Sequence, residues 1–495
     1  MQIICNLGFA SFVVLLSWII ADVIYKIFFH PLAKYKGPLL AKVTPLWYFY
    51  IAYEGKRHLV LQKLHKKYGT FVRIAPNEVS ISDYRALMSI YGHDPGCEKS
   101  SGYVAFQPTE DSPSLVSVRD RGLHSRMRKP LNKAFSQRAI ESMEPLIKEQ
   151  IDVFCHSLSK FGKNGKIPLD ITQWVTYLTF DVLGKLCFGE NFDMITTGNA
   201  NCIIEMAQCL IKVSTMYATC PALIPLRNLI TPHSLIQKRE RMIQEANEKL
   251  DRRLRRTPEH KDFISFLVED KDADVYYSED RSMLHAAAQL LIVAGADTTS
   301  SSITSSIFHL LQNPQIYSKL CAEIRPLFTS KNEIVHQAVA SLPYLNAVLE
   351  ESMRISSPVP ANLPRISPPE GCTIAGEILP GGIDFSVPTY ALNLDERYFT
   401  RPNEFIPERW IIKEGFEKDW EYGRLAYQPF SIGPRACLGR TMAYMEMRLV
   451  IAQWIWTFDA EIVDKDLKYD VEDWTVAIKP EILVRNTLRK DVIVL

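Results

Sequence analysis

The chain has 495 residues, 47% of them hydrophobic and 23% charged, with 57 basic side chains against 56 acidic ones. That balance excludes a disordered chain and a wholesale nucleic-acid binder, and no low-complexity linker or internal repeat divides the sequence, which points to one large domain. The ten cysteines form no C-x-x-C pair and scatter through apolar segments, so they read as reduced thiols in a cytosol-facing fold rather than a disulfide framework or a zinc site.

Residues 3–21 carry no charge. At 1.5 Å per residue a helix of that length is roughly 28 Å long, close to a bilayer's hydrocarbon core, so this segment is expected to be an uncleaved transmembrane anchor. Lys26, Lys34 and Lys36 follow it and nothing basic precedes it, which predicts an outside N-terminus and a cytosolic remainder. Pro31, Pro38 and Pro45 mark a stiff hinge over 30–45, and the domain proper is expected over 46–495. A helical pattern between Gly55 and Gly69 leads into two strand-like runs, 71–75 and 78–82, split by Pro76-Asn77. From about 120 to 325 almost everything reads as helix, including a basic segment at 119–138, an apolar one at 178–189 and an Ala-rich run from Met283 to Gln312. Strand signals return at 372–388 and near 475–495, so the fold class is mostly α with a small β-region.

The densest chemistry lies in FSIGPRACLG, from Phe430 to Gly439. Phe430, Gly433, Arg435, Cys437 and Gly439 fill the pattern FxxGxRxCxG. Glycines let backbone N–H groups approach a sulfur, and the arginine can neutralise a carboxylate, so the stretch is suited to holding a thiolate against a metal. It resembles the loop of the cytochrome P-450 heme-thiolate monooxygenases that supplies the axial iron ligand. The resemblance covers nearly the whole chain and is nearest to fungal microsomal members of secondary metabolism, including trichothecene-type ring hydroxylases.

The resemblance implies a triangular helical prism with a small β-region, a heme b cofactor and Cys437 as its axial ligand. It makes AGADTT at 294–299 the oxygen-binding groove, where the helix loosens over the heme. Ala294 and Gly295 then leave room for O2, Asp297 gates a proton relay and Thr298 holds the last hydroxyl, with Thr299 a weaker candidate. Read alone, Gly295, Asp297 and Thr298 are poor residues for a buried helix interior. Glu351 and Arg354, three apart, are implied to join Arg409 of FIPERW in a buried structural cluster; buried charges persist only when paired. For the heme propionates the resemblance points to Arg435, to His124 with Arg128, and to Arg365. Part of the family carries tryptophan where His124 stands.

No GxGxxG or GxxxxGK[ST] occurs, so electrons are expected from elsewhere, and the resemblance implies a separate NADPH-dependent flavoprotein reductase as their source. Between 119 and 138 seven Lys/Arg face one acid, net +6, and Arg126, Lys129 and Lys133 are its expected docking residues. By resemblance the substrate pocket is lined from 95–118, 200–230, 358–363 and by Val476 and Ala477, which implies a hydrophobic small molecule such as a terpenoid or polyketide. The apolar run 209–226 reads equally as a second membrane contact. The family's microsomal members place the domain on the cytosolic face of the endoplasmic reticulum. Two readings stand beside the hydroxylase: a heme-thiolate isomerase or dehydratase working without O2, and a silent heme carrier.

Overall fold

The Ala-rich run folds as a 32-residue helix, Arg281–Gln312, in the middle of the domain. The computed structural model describes residues 2–92, 96–107, 112–257, 261–268, 277 and 281–490, with side chains from residue 9 onward. In this long helix the buried serines between Ser300 and Ser306 direct their hydroxyls to backbone carbonyls. Ser306 donates to the Ser302 carbonyl at 2.7 Å, and Ser301 reaches across to Ala477 at 3.1 Å. A second buried helix, Ile171–Phe188, packs along it. At Gly295 the two come so close that a Cβ would lie 2.8 Å from Leu183 Cδ1, so the glycine has a packing reason beside the expected room for oxygen. The helix is continuous through 294–298.

The helices Gln137–Phe161, Pro343–Ile355 and Arg440–Thr457 complete the core around these two. Their interior is dominated by residues such as Phe154, Phe180, Ile307 and Trp454, all with essentially no exposure. Burying a side chain of this size contributes about 1.5–3 kcal/mol.

Twelve strands lie at the periphery among the described residues: β1 (Phe71–Ala75), β2 (Glu78–Ile81), β3 (Glu98–Lys99), β4 (Leu169–Asp170), β5 (Arg365–Ile366), β6 (Cys372–Ile374), β7 (Glu377–Leu379), β8 (Asp384–Ser386), β9 (Phe458–Ile462), β10 (Glu472–Trp474), β11 (Val476–Ile478) and β12 (Leu483–Leu488). The predicted hairpin is β1–β2, and the largest sheet runs β1-β2-β8-β5-β3. Its far edge sets Lys99 opposite Arg365. The end of the last predicted strand region, 491–495, falls outside the described residues.

The N-terminal helix Gln2–Ile24 continues into a π-helical turn, and the stretch Phe9–Phe29 is long and apolar enough to cross a membrane, with none of it buried in the protein. The proline segment that follows is seated on the domain. Leu32 and Tyr35 enter its core, the buried Arg73 donates to the Lys26 carbonyl at 2.7 Å, and Lys34 pairs with Glu377.

Candidate active site

The loop 430–439 is closed by its own backbone. Cys437 N–H donates to the Phe430 carbonyl at 2.8 Å, and Ala436 N–H to the Gly433 carbonyl at 3.0 Å. Gly433 has φ +73°, a left-handed conformation that favours glycine, and a Cβ there would stand 2.0 Å from the Tyr91 carbonyl oxygen. Two guanidinium groups tie the loop to the segment 118–128. Arg435 donates to the Val118 and Arg119 carbonyls at 2.9 and 2.6 Å, and Arg128 to the Ala436 carbonyl at 2.8 Å. Cys437 thereby sits just before the helix Arg440–Thr457, whose positive end favours an anion. Its thiol is exposed to an internal cavity. Burial raises its pKa, while the Gly439 N–H, Arg128 and Arg440 act in the opposite direction.

That cavity has a volume of about 290 Å³. Cys437, Phe430 and Gly439 are on its lining, as are Ala294, Gly295 and Thr298 of the long helix. Thr298 Oγ1 donates to the Ala294 carbonyl at 2.8 Å. Leu115, Val116 and Leu363, from two of the expected pocket segments, also line it; positions 95 and 108–111 of those segments lie outside the described residues. Val476, Ala477 and Asp297 border a different, smaller cavity. The stretch 209–231 encloses a third, and its end leaves Leu229 84% exposed. A larger opening of about 610 Å³ is a surface groove on the other side of the loop, around Glu350, Tyr427 and Arg440, and contains no thiol.

His124, Arg128, Arg365 and Arg435 all reach the cavity with Cys437, and a fifth basic residue, Lys99, joins them. No aspartate or glutamate lines it among the described residues. The cost of this crowding is visible in Lys99, His124 and Arg435. Burial, then Arg435, Arg365 and Arg128, push the Lys99 ammonium well below its ordinary range. Burial and the same cations lower His124 to about 3, and burial with Arg365 lowers Arg435 to about 10. Like charges directly opposite each other across strands are destabilising, yet Lys99 and Arg365 are such a pair. Lys99 escapes sequence reasoning because a lysine in a two-residue strand carries no pattern.

Glu351, Arg354 and Arg409 meet with no exposure at all. Glu351 accepts from Arg354 at 2.8 and 2.9 Å, from Arg409 at 3.0 Å, and from the Trp410 indole and the Ile406 N–H at 2.9 Å. Burial would raise its pKa, but Arg354 and Arg409 outweigh it and hold the carboxyl below its ordinary value. The expected trio is a quartet: Asp419 pairs with Arg409, so two acids balance two arginines. Arg354 also donates to the Asn393 and Pro402 carbonyls at 2.9 and 2.7 Å, which holds the chain leading toward the loop.

A family model described as Cytochrome P450 matches residues 38–485. The chain is 35% identical over 459 residues to cytochrome P450 monooxygenase astJ of Aspergillus oryzae (strain ATCC 42149 / RIB 40), covering 91% of this chain and 90% of that protein. It is 32% identical to cytochrome P450 monooxygenase atr2 of Stereocaulon alpinum over 96% of this chain and 94% of that one. It is also 32% identical to the averantin hydroxylase of Dothistroma septosporum (strain NZE10 / CBS 128990), covering 93% and 87%. The chain belongs to the cytochrome P450 family, and its activity is that of a heme-thiolate monooxygenase.

The residues present fit the heme that the family implies. A heme brings two propionates, and the cavity offers them the guanidinium groups Arg128, Arg365 and Arg435 with Lys99 and His124 beside them and no acid among the described lining residues. The thiol and the small residues Ala294 and Gly295 belong to the same cavity.

Proposed function

We propose that the protein hydroxylates a hydrophobic small molecule of fungal secondary metabolism, a terpenoid or polyketide, with Cys437 as the thiolate that would hold the heme iron. When bound, the heme supplies the oxygen-activating chemistry that puts one atom of O2 into a C–H bond of the substrate. Arg435, His124, Arg128, Arg365 and Lys99 would hold its propionates. The backbone of Gly433 and Gly439 shapes the loop and stabilises the thiolate, and Phe430 shields it. Ala294 leaves space on the opposite wall, Gly295 serves close packing, and Thr298 and Asp297 move protons toward the oxygen-binding side. Glu351, Arg354 and Arg409 are structural and keep the loop in place.

The observation that carries this reading is the shared cavity of Cys437 and five basic side chains, with no acid among its described lining residues. Likeness to an averantin hydroxylase supports hydroxylation as the reaction, and the mostly apolar cavity agrees with a hydrophobic substrate. Electrons come from NADPH through a separate flavoprotein reductase. The apolar N-terminal helix anchors the chain once in the endoplasmic reticulum membrane with the domain in the cytosol.

Cys437→Ser and Cys437→His test the ligand: both should lose the red-shifted ferrous–CO absorption and the hydroxylation, even where heme is retained. A serine variant with normal spectrum and turnover would remove the assignment. Metabolite profiling of a strain lacking the gene identifies the substrate class.

A further inference from the structure

Glu350 stands one residue before Glu351 on the helix Pro343–Ile355, yet the two carboxylates have separate partners. Glu351 belongs to the buried quartet, whereas Glu350 lies on the surface groove of about 610 Å³ on the other side of the thiolate loop. There it accepts two phenol hydroxyls, Tyr427 Oη on Oε2 at 2.8 Å and Tyr444 Oη on Oε1 at 2.7 Å. The two tyrosines bracket Cys437 in the chain. Tyr427 comes three residues before Phe430, and Tyr444 is on the helix Arg440–Thr457 that follows Cys437. The Tyr444 ring packs on the Phe430 ring with centroids 5.1 Å apart, and the Phe430 carbonyl accepts the Cys437 N–H at 2.8 Å. One carboxylate is thus joined to the thiolate loop from both flanks.

We propose that Glu350 is a positioning residue for the thiolate: its carboxylate clamps the flanks of the loop through Tyr427 and Tyr444, and its charge sets how readily an iron held by Cys437 is reduced. This rests on the reading of Cys437 as the thiolate that would hold the heme iron, and adds what fixes that sulfur from the groove side. Arg440 has its guanidinium carbon 6.0 Å from the Phe430 ring centre and 5.9 Å from that of Tyr444, and it favours the thiolate form of Cys437. Glu350 acts against Arg440. A negative charge near the iron favours the ferric state over the ferrous one, which carries one positive charge less. The groups facing Glu350 are few. Tyr427 and Tyr444 are kept protonated by burial and by Glu350 itself, so both are donors to it. Arg440 and Arg448 come from the following helix, and Arg424, which donates to the Trp410 carbonyl at 2.9 Å, comes from the segment before the loop. Burial raises the Glu350 carboxyl, while the two hydroxyls, Arg440 and Arg448 draw it down. Solvent protons reach it through the groove, and protonation removes its charge and weakens it as an acceptor.

The test is a spectroelectrochemical titration of the ferric–ferrous couple in the full-length heme-loaded enzyme, from acid to alkaline pH and without substrate. In the wild type the potential should rise as pH falls through the Glu350 midpoint. Glu350→Gln should hold the acid-side value at every pH, which at alkaline pH favours the ferrous state about tenfold, or about 59 mV for one electron. Glu350→Asp keeps the charge and should keep the pH step. Tyr427→Phe and Tyr444→Phe retain both rings but lose a hydrogen bond to the carboxylate, so the step should move to higher pH. A wild-type potential at every pH in Glu350→Gln overturns the inference. If that variant does not load heme, an unmoved step in both tyrosine variants overturns it instead. A wild-type protein without the red-shifted ferrous–CO absorption would sink the reading of Cys437 itself, a result distinguishable from an unchanged potential in a protein whose absorption is normal.

Discussion

The Tyr91 carbonyl oxygen occupies the place where a Cβ on Gly433 would be, 2.0 Å from that position. Loop and helix end approach backbone to backbone, and the left-handed φ of Gly433 adds a second restriction. Gly433→Ala should therefore displace the loop and the thiol it carries. Expected outcomes are heme loading reduced several-fold and a shifted ferrous–CO absorption, whereas Gly415→Ala, at a glycine with open space around it, should change neither.

Arg409 is shared by Glu351 and Asp419, and Asp419→Asn would leave the buried quartet with one net positive charge. Breaking a buried pair by removing one partner costs about 3–5 kcal/mol. Thermal unfolding should register a loss of that order. The double change Arg409→Met/Asp419→Leu retains the balanced Glu351–Arg354 pair and should cost less than the sum of its two single changes. Strict additivity would show that the two side chains act separately.

Much of this was readable from the sequence where a local rule applied. Met283–Gln312 announced its helix as a long Ala-rich run, and Pro76-Asn77 marked the hairpin turn. The thiolate loop was legible because five informative residues fall within ten positions. What escaped depends on pairings distant in the chain or without periodicity. Lys99 gains meaning only opposite Arg365 on the sheet edge, and Asp419 only beside Arg409. The placement of Asp297 beside Lys479 rather than on the Cys437 cavity is likewise set by how the β11 segment packs on the long helix. Gly295 shows a further limit: glycine signals a close approach but not which partner makes it, here Leu183.

Glu446, on the helix Arg440–Thr457, is buried with Oε1 unpartnered, and burial raises its carboxyl to about 8. Its folded pKa is above the unfolded value of 4.5. The native state therefore holds a proton that the unfolded state lacks between those pH values, and stability is full below 4.5 and declines as pH rises through about 8. At pH 7 this amounts to about 3 kcal/mol. Glu446→Gln should raise the melting temperature more at pH 8 than at pH 5. An equal effect at both would place the proton elsewhere.

The helix Arg121–Ala134 buries His124, Met127 and Leu131 and exposes Arg126, Lys129 and Lys133. Reversing these three charges should slow reduction by the flavoprotein reductase, most at low ionic strength, because exposed charges are screened over about 10 Å at 0.1 M salt. Peroxide-driven turnover should stay nearly intact. Equal losses in both assays would assign the three residues to the heme pocket rather than to docking.

The cross-strand pair Lys99–Arg365 also bears on how much of the protein a cell can keep. A strand pairing that opposes two cations is weak until a dianion joins it, so the sheet edge and the cofactor are stabilised together. Native protein then follows mass action: each tenfold rise in free heme above its dissociation constant adds about 1.4 kcal/mol to the folded state. When heme is scarce the chain spends more time open and is degraded by proteases that act on unfolded segments. Stability of this sheet edge and cofactor binding are thereby linked through one cross-strand pair.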